Sequence, residues 1–99
     1  MHYARIEIVI AGAVERVGRT RLDAGATIDA ALRAAGGLAY RAGARPEGEL
    51  VLRRRSPSSR TVSVHRWRIF DEPVEAWRSF ALEHRDVLVF TWSLHHDRV

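Results

Sequence analysis

Three consecutive arginines, Arg53, Arg54 and Arg55, are the residues of this sequence best able to do chemistry, and that chemistry is binding. A guanidinium is a planar fork of donors that stays charged near neutral pH, so it recognises carboxylates and phosphates and makes a poor acid–base catalyst. On a strand, Arg53 and Arg55 point to one face and Arg54 to the other. Arg60 and Arg66 follow on what reads as the paired strand, and Arg41 and Arg45 precede on a neighbouring loop. If the hairpin forms, several guanidinium groups converge near one sheet edge, where an acidic glycan, a phosphate-bearing ligand or an acidic protein face would meet them. The plainer alternative is a charged edge strand that discourages sheet-to-sheet aggregation. Of Trp67, Trp77 and Trp92, two are expected in the core or at its margin. Trp77, in a connection of irregular pattern, is the one expected to be exposed for contact with a ligand.

Other reactive constellations fail on spacing. His2, His65, His84, His95 and His96, with Asp97, contain no His-Glu-x-x-His pattern, and adjacent histidines in a strand point apart, so no metal site is expected. Ser56, Ser58, Ser59 and Ser63 include no nucleophile elbow. Glu72 and Glu75 stand in a polar connection and read as solvated charge rather than a catalytic pair. The sequence has no cysteine, which removes disulfides, thiolate nucleophiles and iron–sulfur ligation. Neither a catalytic residue nor a cofactor is expected, and the chain reads as non-enzymatic.

The bulk composition sets the frame. A chain of 99 residues has room for one domain and one modest core, and 46% hydrophobic with 28% charged residues argues against disorder. All 16 basic residues are arginine, for a net charge of +4. A GC-rich codon bias would produce the same preference. No apolar run approaches the roughly 18 to 20 residues of a membrane span, and "MHYARIEIVI" lacks the plan of a leader peptide. The expectation is a cytoplasmic protein without membrane insertion, or a periplasmic or cell-envelope one if this is a domain of a larger exported chain.

The elements that must position the arginines follow from period. "RIEIVIA", residues 5–11, alternates Ile6, Ile8 and Ile10 against Arg5, Glu7 and Val9, which predicts a strand. Gly12 and Gly18 bracket a bend into a second strand at 19–22. Thr27 is a good N-cap, and Ile28, Ala31, Leu32 and Ala35 fall on one stripe of a helix of about nine residues, which Gly36 ends and Gly37 lets turn sharply away. Residues 38–48 read as loop, 49–54 and 60–66 as paired strands. Asp71 is placed to cap one helical turn in the irregular stretch 67–82. "DVLVFTW", residues 86–92, is apolar on both faces and so belongs in the middle of its sheet. The order ββαβββ, with a mixed sheet, a central C-terminal strand parallel to the first and one short helix packed on one face, predicts an α+β chain of the β-grasp, or ubiquitin-like roll. A single domain is expected over 1–94, with 95–99 a frayed tail.

Gly12, Val14, Gly18, Leu22, Thr27, Ile28, Ala31, Ala35, Gly36 and Gly37 together resemble the pattern of the SLBB family, the soluble-ligand-binding β-grasp. A later arginine-ended strand, at Arg53 or Arg54, and Asp86 opening the last strand continue the likeness from residue 6 to about 92. Val17 stands where the family favours proline, and His84-Arg85-Asp86 replaces its Pro-Gly-Asp, so both turns are less rigid here. The family includes polysaccharide-export proteins, cobalamin carriers and a respiratory-complex subunit. The resemblance therefore implies a binding or assembly module, most often in capsule or exopolysaccharide export, and carries over no catalytic residue. Self-association or a protein partner without a small ligand is the rival expectation. Nucleic-acid binding is disfavoured by the acidic residues spread through the chain. The sulfur carriers and modifiers that share the roll end in Gly-Gly, whereas this sequence ends Asp97-Arg98-Val99.

Overall fold

The computed structural model describes residues 4–39, 45–56, 58–71 and 73–95. The isoleucine alternation forms β1 (Arg5–Gly12), and the chain reverses into antiparallel β2 (Gly18–Asp23), with Ile6 opposite Leu22 and Ile8 opposite Thr20. Then come α1 (Ile28–Ala34), β3 (Arg45–Arg55), β4 (Val62–Arg68), the single-turn α2 (Glu75–Arg78) and β5 (Val87–His95). The strands make one mixed sheet in the order β2-β1-β5-β3-β4. β5 lies at its centre, parallel to β1 and antiparallel to β3. The class is α+β, a five-stranded mixed sheet with two short helices.

One face of the sheet carries the core. Ile6, Ile8 and Ile10 of β1, Leu50 and Leu52 of β3, and Leu88 and Phe90 of β5 are buried together with Ile28, Ala31, Leu32 and Ala35. A seven-residue helix cannot hold itself together in water, so α1 exists because this docking does. Its alanines allow the close approach. Thr27 occupies the N-cap position with extended backbone, but its hydroxyl makes no cap bond. Backbone closes that end instead: Ile28 N–H donates to the Phe80 carbonyl at 3.0 Å, and Leu82 N–H donates to the Ala26 carbonyl at 2.8 Å.

The far end of α1 is closed by the two glycines. Gly36 N–H donates to the Arg33 carbonyl and Gly37 N–H to that of Leu32, both at positive φ, which is the Schellman arrangement. The bend after β1 then pairs with this exit, Glu15 N–H donating to the Gly37 carbonyl and Arg16 N–H to that of Ala35. Gly12 makes the bend feasible. Its φ is +91°, and a Cβ there would sit 1.9 Å from the Phe90 carbonyl oxygen.

Several expectations change. β3 starts at Arg45 rather than 49, because Arg45 to Gly48 stay paired with His95 to Trp92, and the loop is correspondingly shorter. β5 therefore runs beyond 92 and takes in His95, while 96–99 lie outside the described residues. The helical turn in 67–82 is α2, a second helix, and Asp71 does not cap it: Val74 holds the N-cap position, with no side-chain bond. Trp77 is the main correction. It is 2% exposed and meets Phe90 edge-on at 6.3 Å, so it is a core residue and not a ligand platform. The single turn of α2 has no other large apolar side chain to bury, and turning Trp77 inward is what fixes it to the sheet.

Candidate functional site

Strand alternation separates the three arginines. Leu50, Leu52 and Arg54 share the inner face of β3, and Val51, Arg53 and Arg55 share the outer one. Arg54 closes the end of the core. Its Nε donates to Asp86 Oδ1 at 3.1 Å, and its Nη2 donates to Asp86 Oδ2 at 2.8 Å and to the Ala81 carbonyl at 2.9 Å. Its Nη1 meets the Glu83 carboxylate, and its guanidinium lies 5.4 Å from the centre of the Phe80 ring. Asp86 is fully buried and also accepts from Glu83 N–H at 2.8 Å. The hydrogen bond to Asp86 holds the Arg54 pKa above its ordinary value, against the opposing effect of burial, with the charges of Asp86 and Glu83 adding to it. Of the two arginines the resemblance allowed, Arg54 is thus the one joined to Asp86. Its role is structural.

Arg53 and Arg55 have a different environment. Across the outer face, Arg53 lies between Val87 of β5 and Val64 of β4, and Val51 lies between Val89 and Arg66. Val9 and Ala11 of β1 continue these rows beside Val87 and Val89, and Arg19 of β2 sits beyond Val9. Arg55 pairs with Val62. The result is a band of half-buried valines, Val9, Val51, Val87 and Val89, passing at the β4 side into Val62 and Val64, which are 49% and 47% exposed. Arginines edge it. Among the described side chains three carboxylates lie on the same face and each has a partner: Glu7 is 3.7 Å from Arg21, Glu49 is 2.8 Å from Arg66 and Asp23 is 3.8 Å from Arg5. Among the described residues, no hydrogen bond or ion pair engages the side chains of Arg19, Arg53 or Arg55. Chemically, the valines offer area to desolvate and the arginines offer forks for anionic groups around it.

The other expected site residues scatter. Arg60 is exposed in the turn from β3 to β4, next to the Arg55–Val62 pair, and Arg66 lies on the outer face although held by Glu49. Arg45 does not join them: its backbone pairs with His95 at the opposite end of β3 from Arg55, roughly 33 Å away along an extended strand. Arg41 lies outside the described residues, as do the side chains of Arg45 and Trp92. Trp67 packs against Phe80 at 5.1 Å and lies parallel to His65 at 5.9 Å. The serines of the turn bond locally, Ser56 with Ser58 and Ser59 with Thr61. Glu75 is exposed, and Glu72, His2, His96 and Asp97 lie outside the described residues. Among the described residues no His, Asp and Glu side chains group as metal ligands, and no helix is long and apolar enough to cross a membrane.

A groove of about 510 Å³ opens on the α1 side, where Arg33 and Arg78 face Phe70. The Asp29 carboxylate already takes both arginines there, from Arg33 at 2.9 Å and Arg78 at 3.1 Å, so it is an inter-helix tie. Strand alternation places Arg19 outward and Val89 with Val87, but sequence reasoning did not count Val51, Val64, Val89 or Arg19 among the candidate binding residues. The signal was present, since β5 was read as apolar on both faces and its second face needed neighbours.

The chain was set against family models, curated proteins and solved structures. None matches.

Proposed function

We propose that this chain is a non-enzymatic β-grasp binding module of SLBB type, and that it takes an acidic protein partner on the outer face of its sheet. The β-grasp reading is supported by the strand order β2-β1-β5-β3-β4, by the parallel β1–β5 pair at its centre and by α1 on one side. The SLBB reading is supported by the glycines of the motif, Gly12, Gly18, Gly36 and Gly37, which stand at positive φ where a side chain would be strained. A place in polysaccharide export or surface-glycan assembly rests on the motif resemblance alone.

The observation that carries the binding reading is the valine band with Arg19 and Arg55 at its margin and Arg53 set between Val87 and Val64. Small-ligand sites are concave, and among the described residues no helix packs on this sheet face. An acidic glycan would meet the arginines but leave the valines wet, whereas a protein surface carrying both apolar and acidic side chains matches both. A nucleic acid is disfavoured for the same reason as the glycan: its phosphates would meet the arginines and leave the valine band without an apolar counterpart.

The test is a titration of isotope-labelled chain at low ionic strength with polyglutamate and, separately, with a uronic-acid oligomer. The reading expects polyglutamate to shift the amides of Val51, Arg53, Val64 and Val89 and to leave α1 unmoved. The double variant Arg53→Glu/Arg55→Glu should bind roughly tenfold more weakly or worse, with its fold unchanged. Shifts confined to the α1 side, or none with either polyanion, would rule the reading out.

A further inference from the structure

The outer face ends at a strand edge, and the hydrogen-bond phase of that edge says what it can hold. β4 is the last strand of the sheet, with β3 on one side and no strand on the other among the described residues. Ile69 N–H donates to the Gly48 carbonyl and Ser56 N–H to the Thr61 carbonyl, each between directly opposed residues of the β3–β4 register. In an antiparallel pair the opposed residues that exchange hydrogen bonds recur at every second position. Thr61, Ser63, His65, Trp67 and Ile69 therefore bond inward to β3. Val62, Val64 and Arg66 turn their N–H and C=O groups to the open edge.

Those same residues place their side chains on the outer face, so edge and face form one surface. Natural edges are blunted by proline, bulges, lysine or short length. β4 has seven residues, no proline and no lysine, and it pairs with β3 without interruption from Val62 to Arg68. Among the described residues its guard is arginine. The other edge, β2, is one residue shorter, opens on Gly18 at a φ of +132° and carries the acidic Asp23 beside Arg19 and Arg21, so it presents a shorter line with a carboxylate in it.

We infer that the β4 edge accepts an extended acidic segment of a partner protein, added as a sixth strand with its acidic side chains on the outer face. The inference rests on the binding reading above and gives the partner its form. Residues of an added strand opposite Val62 and Val64 would lie about 10 Å from Arg55 and Arg53, two strand spacings away, within reach of paired long side chains. On the inner face, apolar partner residues would lie beside the half-buried rings of His65 and Trp67. Charge chooses the occupant. A second copy pairing by the same edge would bring two sets of Arg53, Arg55 and Arg66 together on chains of net charge +4 each. Like charges in such an arrangement reject the copy and admit the acidic strand.

The experiment uses a synthetic peptide of strand length alternating glutamate and valine, with two derivatives N-methylated on alternate amides in opposite phase. Edge addition expects the parent to bind and to slow amide exchange at Val62, Val64 and Arg66. One methylated phase should bind as the parent does and the other should lose binding by more than tenfold. Val64→Pro should abolish binding and keep the fold, since the Val64 N–H faces the edge and not the β3 ladder. Equal binding of both methylated phases would overturn edge addition, and that comparison holds even if the proline variant fails to fold. No peptide binding while polyglutamate still shifts the outer face would overturn the edge alone. No response to either would remove the binding reading as well. Concentration-dependent dimers that Val64→Pro dissolves would make a second copy the occupant and would equally overturn the proposal.

Discussion

Both faces of this sheet set arginine beside apolar side chains, and they behave oppositely. On the inner face Arg54 is fixed by a fully buried carboxylate, a backbone carbonyl and a second acid. One residue to either side, Arg53 and Arg55 stand exposed among valines with no such partners among the described residues. The chemistry of a guanidinium is identical at the three positions. Burial decides whether it closes a core or waits for an anion: a desolvated pair is costly to break, and an exposed arginine is nearly free to change.

That contrast can be broken at the inner face first. Trp77→Ala should lower stability by about 4 kcal/mol, because it opens a cavity under Phe90. Urea unfolding measures this, and a loss below about 1 kcal/mol would return Trp77 to the surface. Gly12→Ala should cost about 3 kcal/mol, since the new Cβ meets the Phe90 carbonyl at the β1–β5 seam and the residue holds a positive φ. A near-neutral result there would mean that the two central strands do not approach as described. Smallest is a gain. Arg85 has a φ of +70° where the resembled family carries glycine, and Arg85→Gly should raise stability by up to about 1 kcal/mol in the same assay. No gain would show that the turn before Asp86 is unstrained.

Short-range signals were the legible ones. The isoleucine alternation, the Ala-rich stripe and the Gly36-Gly37 stop all act within a few residues, and each appears where its pattern predicts. β5 was legible for a related reason: only a central strand can leave both faces apolar. Trp77 was not legible, because α2 is a single turn too short to show a period, and the burial of its ring depends on Phe90, far along the chain. Thr27 misled in a similar way, its capping role being taken by backbone from 80–82. For the arginines, alternation was read correctly, but it could not say that a buried acid awaited Arg54. Asp86 supplies that from 32 residues away.

The division between the faces is tested most directly by urea unfolding of three single variants measured together, Arg53→Ala, Arg54→Ala and Arg55→Ala. If Arg54 holds the core shut and its neighbours serve only the outer face, Arg54→Ala loses about 3 kcal/mol or more by stranding the Asp86 charge. The other two should then stay within about 0.5 kcal/mol of the parent. Comparable losses at all three positions, or the largest at Arg53 or Arg55, would contradict it.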